Sequence, residues 1–211
     1  PLPLDPTEPD RVAEAVQRMR LKHVVITSVA RDDLADGGAD HFRQTIEAVR
    51  ALRSDVAIEV LTPDFNDREE SIDIVLGARP QIFNHNLETV RRLTPAVRHR
   101  ATYERSLSVL RQAKRRAPGP VHTKSGLMLG LGETEDEVRT ALADLRAVDC
   151  DLLTVGQYLQ PTPRHLPVTE YVHPDRFAHL AQLARQMGFR HVFSSPLVRS
   201  SYHAGETVVD A

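Results

Sequence analysis

The chain has 211 residues, 27 Lys and Arg against 29 Asp and Glu, 41% hydrophobic residues and one cysteine, Cys150. That length buries a core without covalent staples. A lone cysteine excludes a disulfide framework, and any zinc site or iron–sulfur cluster held by this chain's thiolates alone. A formal net charge of -2 gives no basic field for nucleic acid, and no apolar run approaches the ~20 residues that span a bilayer.

The chain opens on Pro1-Leu2-Pro3-Leu4-Asp5-Pro6, without Met and without the basic and apolar regions of a signal peptide. The expectation is that the natural start is missing. Thr7-Glu8-Pro9-Asp10 reads as an N-cap with Pro in the first turn, and Val12, Ala15, Val16 and Met19 follow at helical spacing. His23–Ser28 is a β-branched run and reads as a buried strand. After a polar loop from Arg31 to Asp40, Phe42, Ile46, Val49 and Leu52 give a second helix.

The unit then repeats. Strands are expected over 56–61, 81–86, 121–129, 152–159 and 191–198, and helices over 67–76, 102–116, the segment after Thr134, and 174–187. Thr134 with Glu137 has the spacing of a capping box. Alternating β-α units demand a mostly parallel sheet with right-handed crossovers. No G-x-G-x-x-G follows the first strand, which argues against a dinucleotide fold. About six strands fall short of a full eight. The predicted architecture is a single α/β domain over 1–211, a partial (β/α)6 TIM-type barrel, truncated at its N-terminus.

In such barrels the site lies at the C-terminal ends of the strands. The expected rim holds Thr27 and Ser28, Arg31 to Asp36, Glu59, Asn84-His85-Asn86 with Glu88, His122 and Lys124, the turn from Gly126 to Glu133, Gln157 to Gln160, and Arg199 to His203. Bland readings stand beside these. The aspartates suit a capped loop, His85 a hydrogen-bonded core position, and Cys150 a buried thiol. Gly126, Gly130 and Gly132 suit tight packing or close approach to a nucleotide. The rim alone leaves three readings open. One is an enzyme binding an adenosine-type ligand. Another is a mononuclear-metal lyase using Glu59, His85 and His122. The third is a non-catalytic barrel that binds a partner.

Several strings then narrow the choice. They are Val24-Val25-Ile26-Thr27-Ser28-Val29 with Arg31-Asp32-Asp33-Leu34 and Asp36-Gly37-Gly38-Ala39, and Phe83-Asn84-His85-Asn86-Leu87-Glu88. Further on come Thr123-Lys124-Ser125-Gly126-Leu127-Met128 running into Gly130-Leu131-Gly132-Glu133-Thr134, then Gly156-Gln157-Tyr158-Leu159-Gln160-Pro161, and finally Arg199-Ser200-Ser201-Tyr202-His203-Ala204. Together, and in this order, they resemble lipoyl synthase, of the radical S-adenosylmethionine (SAM) superfamily. The Asn-His-Asn-Leu-acid string and the Gly-Leu-Gly-Glu turn are also similar to biotin synthase, but the Arg-Ser-Ser-Tyr-His string favours lipoyl synthase.

The resemblance implies two [4Fe-4S] clusters and SAM. One cluster cleaves SAM, and the second is consumed as sulfur donor while two sulfurs enter an octanoyl chain on a carrier-protein lysine. It implies an octanoylated lipoyl carrier protein or domain as partner, an electron donor, and a cytoplasmic or organellar setting. By family match, Ser201 is a ligand of the auxiliary cluster, and Asn86 and Glu88 hold the SAM ribose. Thr27 and Ser28 meet its methionine end, while Lys124, Gly130 and Glu133 line the cofactor. The family's cysteine triplets, C-x4-C-x5-C and C-x3-C-x2-C, have no counterpart in this sequence. The chain by itself is therefore expected to be inactive.

Overall fold

A computed structural model of the protein describes residues 2–201. Pro1, Tyr202, His203 and Ala204, named above, lie outside the described residues. In chain order the elements are α1 (Glu8–Arg18), β1 (His23–Thr27), α2 (Ala39–Leu52), β2 (Ala57–Leu61), α3 (Glu69–Gly77), β3 (Ile82–Asn84), α4 (Thr94–Val97), α5 (Tyr103–Arg116), β4 (His122–Leu129), α6 (Glu135–Ala147), β5 (Leu152–Gln157), α7 (Pro174–Gln186) and β6 (His191–Ser194). The short α4 was not anticipated, since four residues carry no periodicity. β3, β5 and β6 end earlier than the apolar patterning suggests. The residues beyond β3 and β6 bring Asn86, Glu88, Val198 and Ser200 to the mouth of the barrel.

The six strands are all parallel and lie in sequence order, β1 to β6. That order decides between the two parallel architectures. A doubly wound sheet reverses direction at a switch point and so carries helices on both faces. Here every crossover advances one strand in the same sense, so right-handed connections put every helix on one face. The opposite face becomes the concave interior of a partial barrel.

The two faces of the sheet differ in chemistry. Ile58, Val60, Phe83, Leu153 and Val155 point toward the helices and are buried. They pack in two apolar clusters, one under α1–α3 with part of α5, the other under α5–α7. The alternate residues form the concave face. Thr27, Leu61, Asn84, Lys124 and Leu152 stand in register across five strands, and Gly126 pairs with Thr154 one layer above. Asn84 and Lys124, the buried polar members of that layer, need partners inside the protein. Thr134 and Glu137 form the expected reciprocal capping box that starts α6 close behind the mouth.

Candidate functional site

β3 ends at Asn84, and the next four residues cross the barrel mouth toward β4. The His85 amide donates to the Lys124 carbonyl at 3.0 Å, and the Glu88 amide to the Gly126 carbonyl at 2.9 Å. This delivers the Asn86 side chain into a cavity of about 200 Å³, lined among others by Glu88, Gly126, Thr154, Gly156 and Ser200. Asn86 Nδ2 donates to Glu88 Oε1 at 3.1 Å and to Ser200 Oγ at 2.8 Å. Its Oδ1 is buried with no partner. A buried carbonyl oxygen without a donor is costly, and usually marks a place where a ligand or water completes the set. Glu88 sits beside it with its carboxyl raised above the ordinary range by burial, against the opposing pull of Asn86 and Arg98.

Glycine makes room here. A Cβ on Gly126 would stand 2.8 Å from both Asn86 Oδ1 and Thr154 Oγ1. One on Gly156 would strike the Val198 carbonyl, which folds over the cavity from the segment after β6. Of the glycines in the Gly-rich turn, Gly126 faces the cavity. Gly130, at φ +100, is pressed against Gln157 Nε2 and the Glu170 carbonyl. Thr154 was not singled out from sequence, and Gly156 entered only as part of a family string with no site role. Their signal was available: two small residues two apart on β5, on the same sheet face as Gly126.

A layer behind the mouth, His85 is fully buried. Its Nδ1 lies 2.9 Å from the Thr62 carbonyl and its Nε2 3.1 Å from Ser106 Oγ. Burial, reinforced by the Arg98 charge, drives its pKa down to about 4, so the ring is neutral. With Nδ1 donating to the carbonyl, Nε2 accepts from the serine. Arg98 Nη1 donates to Ser106 Oγ at 3.0 Å and to the Asn86 carbonyl at 2.9 Å. The histidine is thus a core histidine, and its hydrogen-bond chain ends on the backbone of Asn86.

The remaining sequence candidates separate. Lys124 is 1% exposed and bonds Glu59 Oε1 at 2.9 Å, Glu59 Oε2 at 3.1 Å and the Ser200 carbonyl at 2.6 Å. Burial alone would raise the Glu59 carboxyl, but His23, Lys124 and Asn84 together hold it below its ordinary value. The Glu133 carboxylate accepts the Gly130 and Leu131 amides at 2.6 and 2.9 Å, which closes the turn. Thr27 and Ser28 line a second cavity of about 330 Å³ beside α1 and α2, with Arg31 and His41, and it shares no lining residue with the first. Asp36 accepts the Gly38 and Asp40 amides ahead of α2, the capping reading of that loop. Ser201 is exposed, one residue past the Ser200 that reaches the cavity.

The trio behind the metal-lyase reading does not converge. Glu59 is engaged by Lys124, His85 by Thr62 and Ser106, and His122 faces Asp151. No group of three metal-ligating side chains occurs among the described residues. Nor, among them, is any helix long and apolar enough to cross a membrane.

Comparison with known proteins settles the family. A radical SAM superfamily model matches residues 1–145. A lipoyl synthase of Geobacillus kaustophilus is 56% identical over all 211 residues, which cover 70% of that protein. Lipoyl synthase 2 of Gloeobacter violaceus is 60% identical over 205 residues, covering 97% of this chain and 71% of the relative. The chain belongs to the lipoyl synthase family. Solved structures at low identity support the fold alone. A maturase of the [FeFe]-hydrogenase has a TM-score of 0.70 at 15% identity, over 91% of this chain and 45% of its own. A methylornithine synthase has a TM-score of 0.65 at 12%, over 94% of this chain and 65% of its own.

Radical SAM chemistry asks for SAM and an iron–sulfur cluster, and the residues of this lipoyl synthase family chain answer the two demands differently. The cavity suits the ribose of SAM: Asn86 offers an open buried acceptor, Glu88 a second acceptor, and Gly126 the space. A cluster takes about three or four thiolates. The lone Cys150 is fully buried, within hydrogen-bonding reach of the Leu152 and Thr123 carbonyls, with burial pushing its thiol up to about 12. Cys150 therefore supplies no cluster ligand.

Proposed function

We propose that this chain is the SAM-binding barrel of a lipoyl synthase acting on an octanoyl group carried on a protein lysine. SAM bound at a reduced [4Fe-4S] cluster supplies the hydrogen-abstracting radical, and a second cluster supplies sulfur. The chain's own part is to bind and orient. Asn86 Oδ1 would accept a hydrogen bond from one ribose hydroxyl and Glu88 one from the neighbouring hydroxyl, while Asn86 Nδ2 stays on Glu88 and Ser200. The chain from neutral His85 through Ser106 to Arg98 fixes the Asn86 backbone, and Gly126 and Gly156 let the sugar approach the strands. Ser201 is the non-thiolate ligand of the sulfur-donating cluster. An octanoylated lipoyl carrier and a one-electron donor are the partners this reading requires.

The observation that carries the reading is the orphaned Asn86 oxygen in a cavity shaped by glycines, at the strand ends of a chain in this family. Two substitutions in the cluster-loaded enzyme test it. Asn86→Leu leaves a ribose hydroxyl unpaired, and should weaken SAM binding by about 5- to 150-fold, the equivalent of about 1–3 kcal/mol. Unchanged affinity rejects the ribose role. Ser201→Ala should preserve SAM cleavage to 5′-deoxyadenosine while abolishing sulfur insertion; normal lipoyl formation rejects the ligand role.

A further inference from the structure

The functional reading leaves Lys124 unused, although it is among the most deeply buried charges in the protein. An ammonium carries three N–H donors, and here all three directions are taken: two by the Glu59 carboxylate and one, the shortest at 2.6 Å, by the Ser200 carbonyl. Lys124 is not among the residues lining the Asn86 cavity. Glu59 is itself oriented by Asn84 Nδ2 at 2.8 Å, from the strand between β2 and β4. The partners lie 65 residues before Lys124 and 76 after it, so the cluster joins the middle of the sheet to the segment that follows β6.

That segment has few other anchors. The Gln157 amide donates to the Pro196 carbonyl at 3.2 Å, the Val198 amide to the Ser195 carbonyl at 3.1 Å, and Asn86 Nδ2 to Ser200 Oγ at 2.8 Å. All are neutral. A charge-assisted bond is roughly twice as strong as a neutral one, and more so away from water. We infer that Lys124 is a positioning residue, oriented by Glu59 to clamp the Ser200 carbonyl and so hold segment 196–201 across the barrel mouth. The clamp fixes the point from which Ser201 departs. That consequence rests on the proposed role of Ser201, whereas the clamp itself does not.

The Glu59→Gln/Lys124→Met double variant removes both charges together, so that no buried ion is left unpaired. Segment opening is read in the 211-residue chain by tryptic cleavage after Arg199 and by hydrogen exchange at Gln157 and Val198. Cleavage should accelerate about tenfold in the double variant, both amides should lose protection, and the thermal midpoint should stay within a few degrees. Ser200→Ala, which removes only the Asn86 contact, should accelerate cleavage less than about threefold. Wild-type cleavage in the double variant, or equal acceleration in Ser200→Ala, overturns the clamp. Should the double variant not fold, the unaltered chain decides. A clamped segment is cut with the urea dependence of global unfolding, and cutting by local fraying without urea dependence overturns the inference. None of these readouts uses SAM or a cluster. A failed Ser201→Ala test would therefore leave them standing, and their failure would leave the Ser201 role untouched.

Discussion

Gly126→Ala should disable the cavity while sparing the fold. The new Cβ would sit 2.8 Å from Asn86 Oδ1 and 2.8 Å from Thr154 Oγ1, and 3.2 Å from Asn86 Cγ. Carbon and oxygen do not share that distance, so something moves. β4 is held on both sides by β3 and β5 and does not yield. Thr154 Oγ1 must turn aside, and so must Asn86 Oδ1, the free end of a side chain bordering open volume. Moving it breaks the Nδ2 contacts to Glu88 and Ser200 and turns the unpaired oxygen away from a bound ribose. Overpacking costs about 1–3 kcal/mol. If that cost falls on the ligand-bound state, SAM affinity should drop about 5- to 150-fold. Titration calorimetry with SAM on the cluster-loaded enzyme measures this, with Gly77→Ala as control. Gly77 ends α3 with nothing within 4 Å of its would-be Cβ, so alanine there should leave affinity unchanged and stability equal or about 0.5–1 kcal/mol higher. If Gly126→Ala binds SAM like the parent, or unfolds without a binding change, the displacement argument fails.

The depressed pKa of His85 ties stability to pH. The folded value is about 4 against an ordinary 6.5, so below 6.5 the unfolded chain binds the proton first. Stability from this group is complete above about pH 6.5 and is lost as the pH falls toward 4, by about 3 kcal/mol at most. Urea titrations at pH 4 to 7 should show that slope in the parent and a flatter one in His85→Asn. Cys150, fully buried with its thiol pushed up to about 12, should resist iodoacetamide at pH 8 and react only in denaturant; rapid native labelling would contradict its burial. Thr134→Ala removes one half of the capping box and should cost about 0.5–2 kcal/mol by thermal or urea unfolding without moving SAM affinity.

Local chemistry was readable in the sequence, and tertiary geometry was not. The capping box at Thr134 and Glu137, the aspartate-capped loop before α2 and the parallel alternation all rest on neighbours a few residues apart, and all appear as expected. Asn86 and Glu88 could be picked out because polar residues at a strand end need partners, and the structure faces both into one cavity. Lys124 shows the limit. The resemblance implies that it lines the cofactor, and its partners within the chain, Glu59 and Ser200, are set by a register that no local pattern encodes. Thr27 and Ser28 likewise end the strand at one edge of the sheet and line a different cavity from Asn86. The short α4 has too few residues for periodicity to announce it.

The strictly sequential sheet has a consequence for how the molecule assembles. Each strand pairs with the one made just before it, so a growing chain can add units one at a time without waiting for a distant partner. Among the contacts that reach further back are those from residues 196–200 to Gln157, Lys124 and Asn86. They form only after β6 is in place. The mouth therefore closes after the sheet, and a nascent barrel presents its polar interior unsealed until residues 196–200 emerge.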